Sequence, residues 1–321
     1  MIPRTMRAVA IDRFGGVDEM QVQTLPVPDP GPGDVLIRLE FAGVGEWDPF
    51  EREGGFKEMM STPPRFPYVL GSEGAGTVTA VGAQVTRFKP DDRVYAMAFP
   101  NPRGGFYAEY VAVSEDLVSP IPGTLSMEEA SALGGVGITA LRGLDDTLSI
   151  KAGESVMIFG ASGGVGHVAV QQAKRLGAWV FAVASGEDGV ALVRQLGADA
   201  AADGHEDEVL EVAREFAPDG IDVALLTAGG DAADRALLAL RKDGRAAYPN
   251  GVEPEPKAPE GIPLRTYDGV PDRDILERLG QLVESGPFEV HIARTFLLEE
   301  AVDAHRALEE HYLGKIVLQV R

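Results

Sequence analysis

A glycine-rich turn between an apolar strand and a helix constrains this chain more than any other feature. Residues 155–159 read as a buried strand, Gly160-Ala161-Ser162-Gly163-Gly164-Val165-Gly166 follows, and 165–176 has helical spacing. Gly160, Gly163 and Gly166 stand three apart. Small residues at that spacing let a backbone approach a pyrophosphate. The N–H groups at the helix start point at it, and the last glycine lets the helix pack against the strand. A lone glycine triplet is a weak signal, and its place inside a βαβ unit gives it weight. The alternation continues with strands over 179–184, 221–226 and 245–248 and helices over 189–196, 206–216 and 231–240. Repeated β–α units imply a parallel sheet with right-handed crossovers. Open sheets of this kind bind ligands at the C-terminal ends of their strands. The expected nucleotide contacts are therefore Ala161, Ser162, Gly163, Gly164, Val165 and Gly166, with Ala228 and Gly229 after the 221–226 strand and Asn250 and Gly251 after the 245–248 strand.

The first third reads differently. Apolar runs at 35–41, 74–82, 92–96 and 108–113, each behind turn residues, suggest an all-β barrel or sandwich-like unit. Ser126 with Glu129 has capping-box spacing and opens a helical stretch through residue 144. Four prolines mark 251–263 as loop, and helices over 274–284 and 298–310 precede a closing strand at 315–320. The length of 321 residues suits about two domains.

Composition removes several classes of function. Cysteine is absent, which excludes disulfides, thiolate catalysis and every cysteine-containing zinc site and fits a reducing compartment. The net charge of −21 repels nucleic acid and anionic membranes, so any phosphate site must be built locally. No apolar run approaches the roughly 18 residues of a membrane helix, and the run at 8–11 is too short for a signal peptide, so a cytoplasmic location is expected. None of the seven tyrosines has a lysine four residues on, and the five histidines form no metal pair and read as structural or solvated.

Which dinucleotide binds depends on the end of the second strand. An NAD site places Asp or Glu there, about 20 residues after the first glycine. Here Ala184-Ser185-Gly186 stands instead. The expectation is NADP(H), with Ser185 bonding the 2′-phosphate; NAD(H), with Glu187 as ribose partner, is the alternative.

Together the loop at 160–166, Leu196-Gly197-Ala198-Asp199, Gly71-Ser72-Glu73-Gly74-Ala75-Gly76, the 104–110 segment and Gly314-Lys315-Ile316-Val317-Leu318 resemble a medium-chain dehydrogenase/reductase of the zinc-free quinone oxidoreductase branch. The resemblance implies an α/β chain: a GroES-like β-rich catalytic domain over 1–122, a Rossmann domain with a doubly wound parallel sheet over 123–268, and a C-terminal segment over 269–321 completing the first. It further implies a cofactor in the cleft between them, a homodimer, and Thr139 beside the nicotinamide. The zinc branch uses a Cys within the segment matching 42–48 and a His at the position of Ser72, and both ligands are missing here. The chain departs from many quinone oxidoreductases at Gly45, where they carry Asn, and near Gly189, where they carry a basic residue.

Without a metal, conjugated acceptors are favoured. Hydride transfer to a quinone leaves a phenolate-like anion, whose conjugate acid has a pKa of roughly 10 and needs no dedicated proton donor. An enone gives an enolate, which a hydrogen-bond donor would stabilise. A plain ketone gives a far more basic alkoxide. Trp47, Phe50 and Phe99 are the expected acceptor-pocket residues, and Asp48 and Tyr68 are the candidates for acid or donor. The rival readings are a 2-enoyl thioester reductase and a non-catalytic dinucleotide-binding sensor or interaction protein.

Overall fold

The computed structural model describes every residue except 59–62, 102 and 206–208. The chain divides into two compact units, Met1–Gly135 with Pro271–Glu284 and Val290–Arg321, and Val136–Val270 with Ser285–Glu289.

The first unit opens with β1 (Thr5–Ile11), β2 (Gln21–Pro26), β3 (Asp34–Val44), α1 (Asp48–Arg52), β4 (Tyr68–Val69), β5 (Glu73–Val81), β6 (Arg93–Met97), β7 (Tyr110–Ser114), β8 (Val118–Pro120) and α2 (Met127–Ser131). The second holds most of α3 (Gly134–Leu141), then β9 (Ser155–Phe159), α4 (Gly164–Arg175), β10 (Trp179–Ala184), α5 (Gly186–Gln195), β11 (Ala200–Asp203), α6 (Val209–Phe216), β12 (Ile221–Leu226), α7 (Asp231–Ala236), β13 (Leu240–Pro249) and β14 (Leu264–Tyr267). The chain then returns to the first unit with α8 (Arg273–Glu284), β15 (Ile292–Leu297), α9 (Ala301–Ala307) and β16 (Lys315–Gln319).

In the first unit β3 is the central strand. It pairs antiparallel with β5 along most of its length, with β7 over Asp34–Arg38, and with β16 over its last residues. Gly76 is glycine because β5 runs so close that a Cβ there would lie 2.0 Å from the Arg38 carbonyl oxygen. Val9, Ile37, Leu39, Leu70, Val94 and Leu318 are fully enclosed in the core beneath this sheet. β1 and β2 form a separate antiparallel pair that β4 joins. In the second unit the six strands among the described residues are parallel, in the order β11-β10-β9-β12-β13-β14. The order reverses between β9 and β12, the switch point where such sheets bind ligands.

The local signals are realised with adjusted lengths. The Ser126–Glu129 capping box forms, with both reciprocal bonds present, yet α2 stops after five residues. The expected helix through residue 144 breaks there and resumes as α3, which runs on into a wider-wound turn over Arg142–Thr147. The expected helix over 231–240 ends at Ala236, and β13 starts at Leu240. The first residues of the helix expected over 206–216 lie outside the described residues, and α6 is described from Val209. The expected domain boundary after residue 122 falls ahead of α2, which packs on β3 and β5 in the first unit. Among the described residues no helix is long and apolar enough to cross a membrane.

Candidate functional site

The glycine turn folds as a cradle at the switch point. Gly160 has a positive φ of 77°, and a Cβ there would lie 2.5 Å from Thr227 Oγ1. Thr227, which sequence reasoning missed, donates its backbone N–H and its hydroxyl to Phe159 O, both at 2.9 Å. This ties the end of β12, and with it Ala228 and Gly229, to the end of β9. A Cβ at Gly166 would sit 2.1 Å from Gly160 O. Gly163 precedes α4 in extended conformation, and no side chain caps the helix. Its first-turn N–H groups are the kind that satisfy an anion. This half-exposed donor geometry fits a dinucleotide phosphate. Gly166→Ala is expected to weaken nucleotide binding roughly 10- to 100-fold, because overpacking against backbone costs about 1–3 kcal/mol. NAD(P)H fluorescence titration measures it; an unchanged dissociation constant would contradict the cradle.

Ser185 belongs to the same edge. Its backbone N–H donates to Ser162 Oγ at 3.2 Å, and its hydroxyl lies 2.9 Å from His205 Nε2. Gly189 packs against the same serine: a Cβ there would come 2.9 Å from Ser162 Oγ. Asp203 stands in register with Ala184 on β11, and its Oδ1 accepts from Gly186 N at 3.2 Å and His205 N at 3.0 Å. The sequence reading missed this acid because it sits on the neighbouring strand. Asn250 and Gly251 follow β13 on the same edge. The Asn250 side chain is held by Asp268 and Thr266, and its N–H donates to Tyr267 O at 2.8 Å, leaving its carbonyl as the part a ligand could meet. Thr139 lies on α3, packed so closely under Gly269 that a Cβ there would be 2.2 Å from Thr139 Oγ1.

The first unit holds a buried polar cluster built around α1. Asp48 is fully buried and closes the tight turn from Gly45. Its Oδ2 accepts from Gly45 N at 2.9 Å, and its own N–H donates to Gly45 O at 3.0 Å. Tyr107 also donates to Asp48 Oδ2, at 2.6 Å, and lies 3.2 Å from His305 Nε2. Arg52 donates to His305 Nδ1 at 2.9 Å, to Gly15 O at 3.0 Å and to Glu53 at 2.7 Å. Glu51, one turn from Asp48, accepts from Tyr68 at 2.7 Å and Gly71 N at 3.1 Å. Burial raises Asp48 to about 6, against the hydrogen bonds from Tyr107 and Gly45. Burial, and then the Asp48 charge, push Glu51 up to about 8. Burial, reinforced by Arg52, holds His305 down at about 3, so it is neutral. The two candidate donors, Asp48 and Tyr68, are therefore interior groups already engaged within the unit.

Trp47 is half-buried and wedged between glycines. A Cβ at Gly45 would lie 2.5 Å from its ring, and one at Gly135 2.7 Å. Its Nε1 donates to Ser72 Oγ at 2.6 Å. Lys315 Nζ stands 5.0 Å from its ring centroid and forms a buried ion pair with Glu73 at 2.9 Å, while Glu73 also accepts from Gly135 N at 2.7 Å. Phe50 and Phe99 are joined by a residue that sequence reasoning missed. Phe56 meets Phe50 edge-on at 4.6 Å and Phe99 at 4.2 Å. No periodic pattern could have found Phe56, which lies in an irregular segment after α1.

The family model of the alcohol dehydrogenase GroES-like domain matches residues 31–123, and that of the zinc-binding dehydrogenase matches residues 164–266. The quinone oxidoreductase of Lama guanicoe is 31% identical, over 99% of this chain and 98% of that protein. The chloroplastic NADPH-dependent alkenal/one oxidoreductase of Arabidopsis thaliana is 32% identical, over 99% of this chain and 80% of that protein. Among solved structures, an NAD-dependent alcohol dehydrogenase superposes with a TM-score of 0.88 at 30% identity, over 98% of this chain and all of that one. A GroES-like unit and a glycine-cradled parallel sheet in one chain define an oxidoreductase of the nicotinamide-dinucleotide-binding kind. The chain belongs to the medium-chain dehydrogenase/reductase superfamily, in its quinone-oxidoreductase-like branch.

Proposed function

We propose that the chain is a zinc-independent, NADPH-dependent reductase of quinones and α,β-unsaturated carbonyls. The observation that carries the reading is Trp47. In the zinc branch a Cys falls in the 42–48 segment and a His at the place of Ser72. Here the indole occupies the space that any side chain at Gly45 would need, and its N–H is bonded to Ser72. With an indole there in place of a Lewis acid, the acceptors that suit the site are those whose reduced oxyanion is weakly basic.

When bound, NADPH supplies the hydride. The chain's part is to hold the pyrophosphate on the backbone of 160–166 and the 2′-phosphate beside Ser185, and to present aromatic surface from Trp47, Phe50 and Phe99 to a flat acceptor. The reading assigns catalysis to 1–122 with 269–321 and nucleotide binding to 123–268. It includes a cytoplasmic homodimer, supported by the family resemblance and the lack of cysteine.

The test is loss of NADPH absorbance with a quinone, an enone and a plain ketone, alongside metal analysis of the purified protein. Turnover of the first two alone supports the proposal. Turnover of the ketone, or stoichiometric zinc, overturns it, and NADPH binding without turnover favours a sensor. The −21 charge speaks against the thioester rival, which needs a basic patch for a carrier phosphate. Ser185→Ala should weaken NADPH binding roughly 10- to 100-fold while leaving NADH nearly unchanged, the effect of one hydrogen bond to a charged group. Equal losses for both would defeat the 2′-phosphate assignment.

A further inference from the structure

We infer that Arg52, His305 and Tyr107 form a one-way hydrogen-bond relay that fixes Asp48 and, through it, the position of Trp47, making His305 and Tyr107 positioning residues for the acceptor site. The inference rests on Trp47 being an acceptor wall, as proposed above.

The direction of the relay follows from what each group can do. A guanidinium has donors and no acceptor. Arg52 spends one donor on His305 Nδ1, so that nitrogen must accept. In a neutral imidazole the other nitrogen then carries the proton, and Nε2–H donates to the Tyr107 oxygen at 3.2 Å. The Tyr107 hydroxyl, its oxygen so occupied, turns its hydrogen to Asp48 Oδ2 at 2.6 Å. All four side chains are at least nine-tenths buried, so water cannot substitute for a lost link. Arg52 is itself fixed by Gly15 O and Glu53, and His305 is brought in by α9, 253 residues further along the chain.

The output end is the turn at 45–48. Asp48 clamps it from both sides, through Gly45 N to its carboxylate and through its own N–H to Gly45 O. Trp47 is carried inside that clamp, its ring held by Ser72. Asp48 Oδ1 has no hydrogen-bond partner among the described residues, so the whole orientation of the carboxylate depends on the two bonds to Oδ2. Removing the Tyr107 bond leaves a single backbone N–H to hold it, and the turn bearing Trp47 loosens.

The chain has two tryptophans, so a Trp179→Phe background reports Trp47 alone. In that background Tyr107→Phe, which deletes one oxygen, is expected to red-shift Trp47 emission. It should raise the KM for menadione roughly fivefold to tenfold, the weight of one buried hydrogen bond, with kcat changed less than twofold. NADPH affinity should not move. His305→Leu should reproduce the effect, and His305→Gln, which can accept from Arg52 and donate to Tyr107, should restore part of it. A folded Tyr107→Phe protein with unshifted emission and unchanged KM overturns the relay. Trp47→Ala separates the two readings: if it leaves the KM untouched, the acceptor-wall assignment fails, and the emission shift alone then decides the relay.

Discussion

Replacing Glu51 with Gln should flatten the pH dependence of this protein's stability. Glu51 is fully buried, and its carboxyl is raised from an ordinary 4.5 to about 8 by burial and then by the neighbouring Asp48 charge. The unfolded chain therefore releases this proton near 4.5 and the folded chain only near 8. Between those values the native state binds more protons, so stability falls as pH rises. The contribution is fully present below 4.5 and is lost as pH climbs through 8. Asp48, raised to about 6, adds to the fall over a lower window. For Glu51 alone, going from pH 5 to pH 9 should cost about 4 kcal/mol. Glutamine keeps a donor and an acceptor for Tyr68 and Gly71 and cannot ionise. Urea unfolding followed by Trp47 emission at pH 5, 7 and 9, with Trp179 replaced by Phe, measures both proteins. The wild type should lose stability on alkalinisation and Glu51→Gln should lose less than half as much. Parallel curves would show that Glu51 does not titrate in this window.

Lys315→Met should be the more damaging substitution at neutral pH. The Lys315–Glu73 pair has side-chain exposures of 3% and 1%. Lys315 also donates to Val44 O at 2.9 Å, joining β16 to the end of β3 where the Trp47 turn begins. Removing the cation leaves Glu73 buried with, among the described residues, only the Gly135 N–H, and breaking one side of such a pair costs about 3–5 kcal/mol. Removing both charges is far less harmful, since a buried pair contributes little net stability over neutral groups of similar shape. Glu73→Gln with Lys315→Met should therefore recover most of the loss, and a double-mutant cycle by urea unfolding gives the coupling. A loss below about 1 kcal/mol in Lys315→Met would mean that the pair is solvated in solution.

The two units differed in how far their sequences could be read. In the second, strand and helix periods alternate cleanly, and β10 and β12 match the residues that show the pattern. β11 was invisible, since Ala200-Ala201-Ala202-Asp203 is poor in β-branched side chains. That gap hid Asp203 and His205, which complete the edge beside Ser185. In the first unit β3, β5, β6, β7 and β16 were legible, but β1, β2 and β15 were not read as strands; β2 in particular alternates weakly and stays largely exposed. Site residues there fared worse. Trp47, Phe50 and Phe99 were visible as aromatics in a loop, Tyr107 and Lys315 stood within segments that carry the family resemblance without a role of their own, and Glu51 and His305 carried no local signal of function. A glutamate in a short helix or a lone histidine reads as solvated until its partners are known.

By itself the sequence determined the parallel sheet, the glycine cradle, the missing acid at the end of β10 and the missing zinc-ligand residues in the 42–48 segment and at Ser72. These are short-range properties: a strand–turn–helix boundary, a glycine requirement and a side chain's identity are each set within a few residues. Only the tertiary structure decided that Trp47 fills the space at Gly45, that Asp48 and Tyr68 are interior groups, and that Arg52, His305, Tyr107 and Asp48 form one chain of bonds. Those facts come from contacts spanning up to 253 residues, and burial converts them into chemistry. The same carboxyl that would be an ordinary surface acid in water becomes, once desolvated beside a second one, a group that keeps its proton to about pH 8.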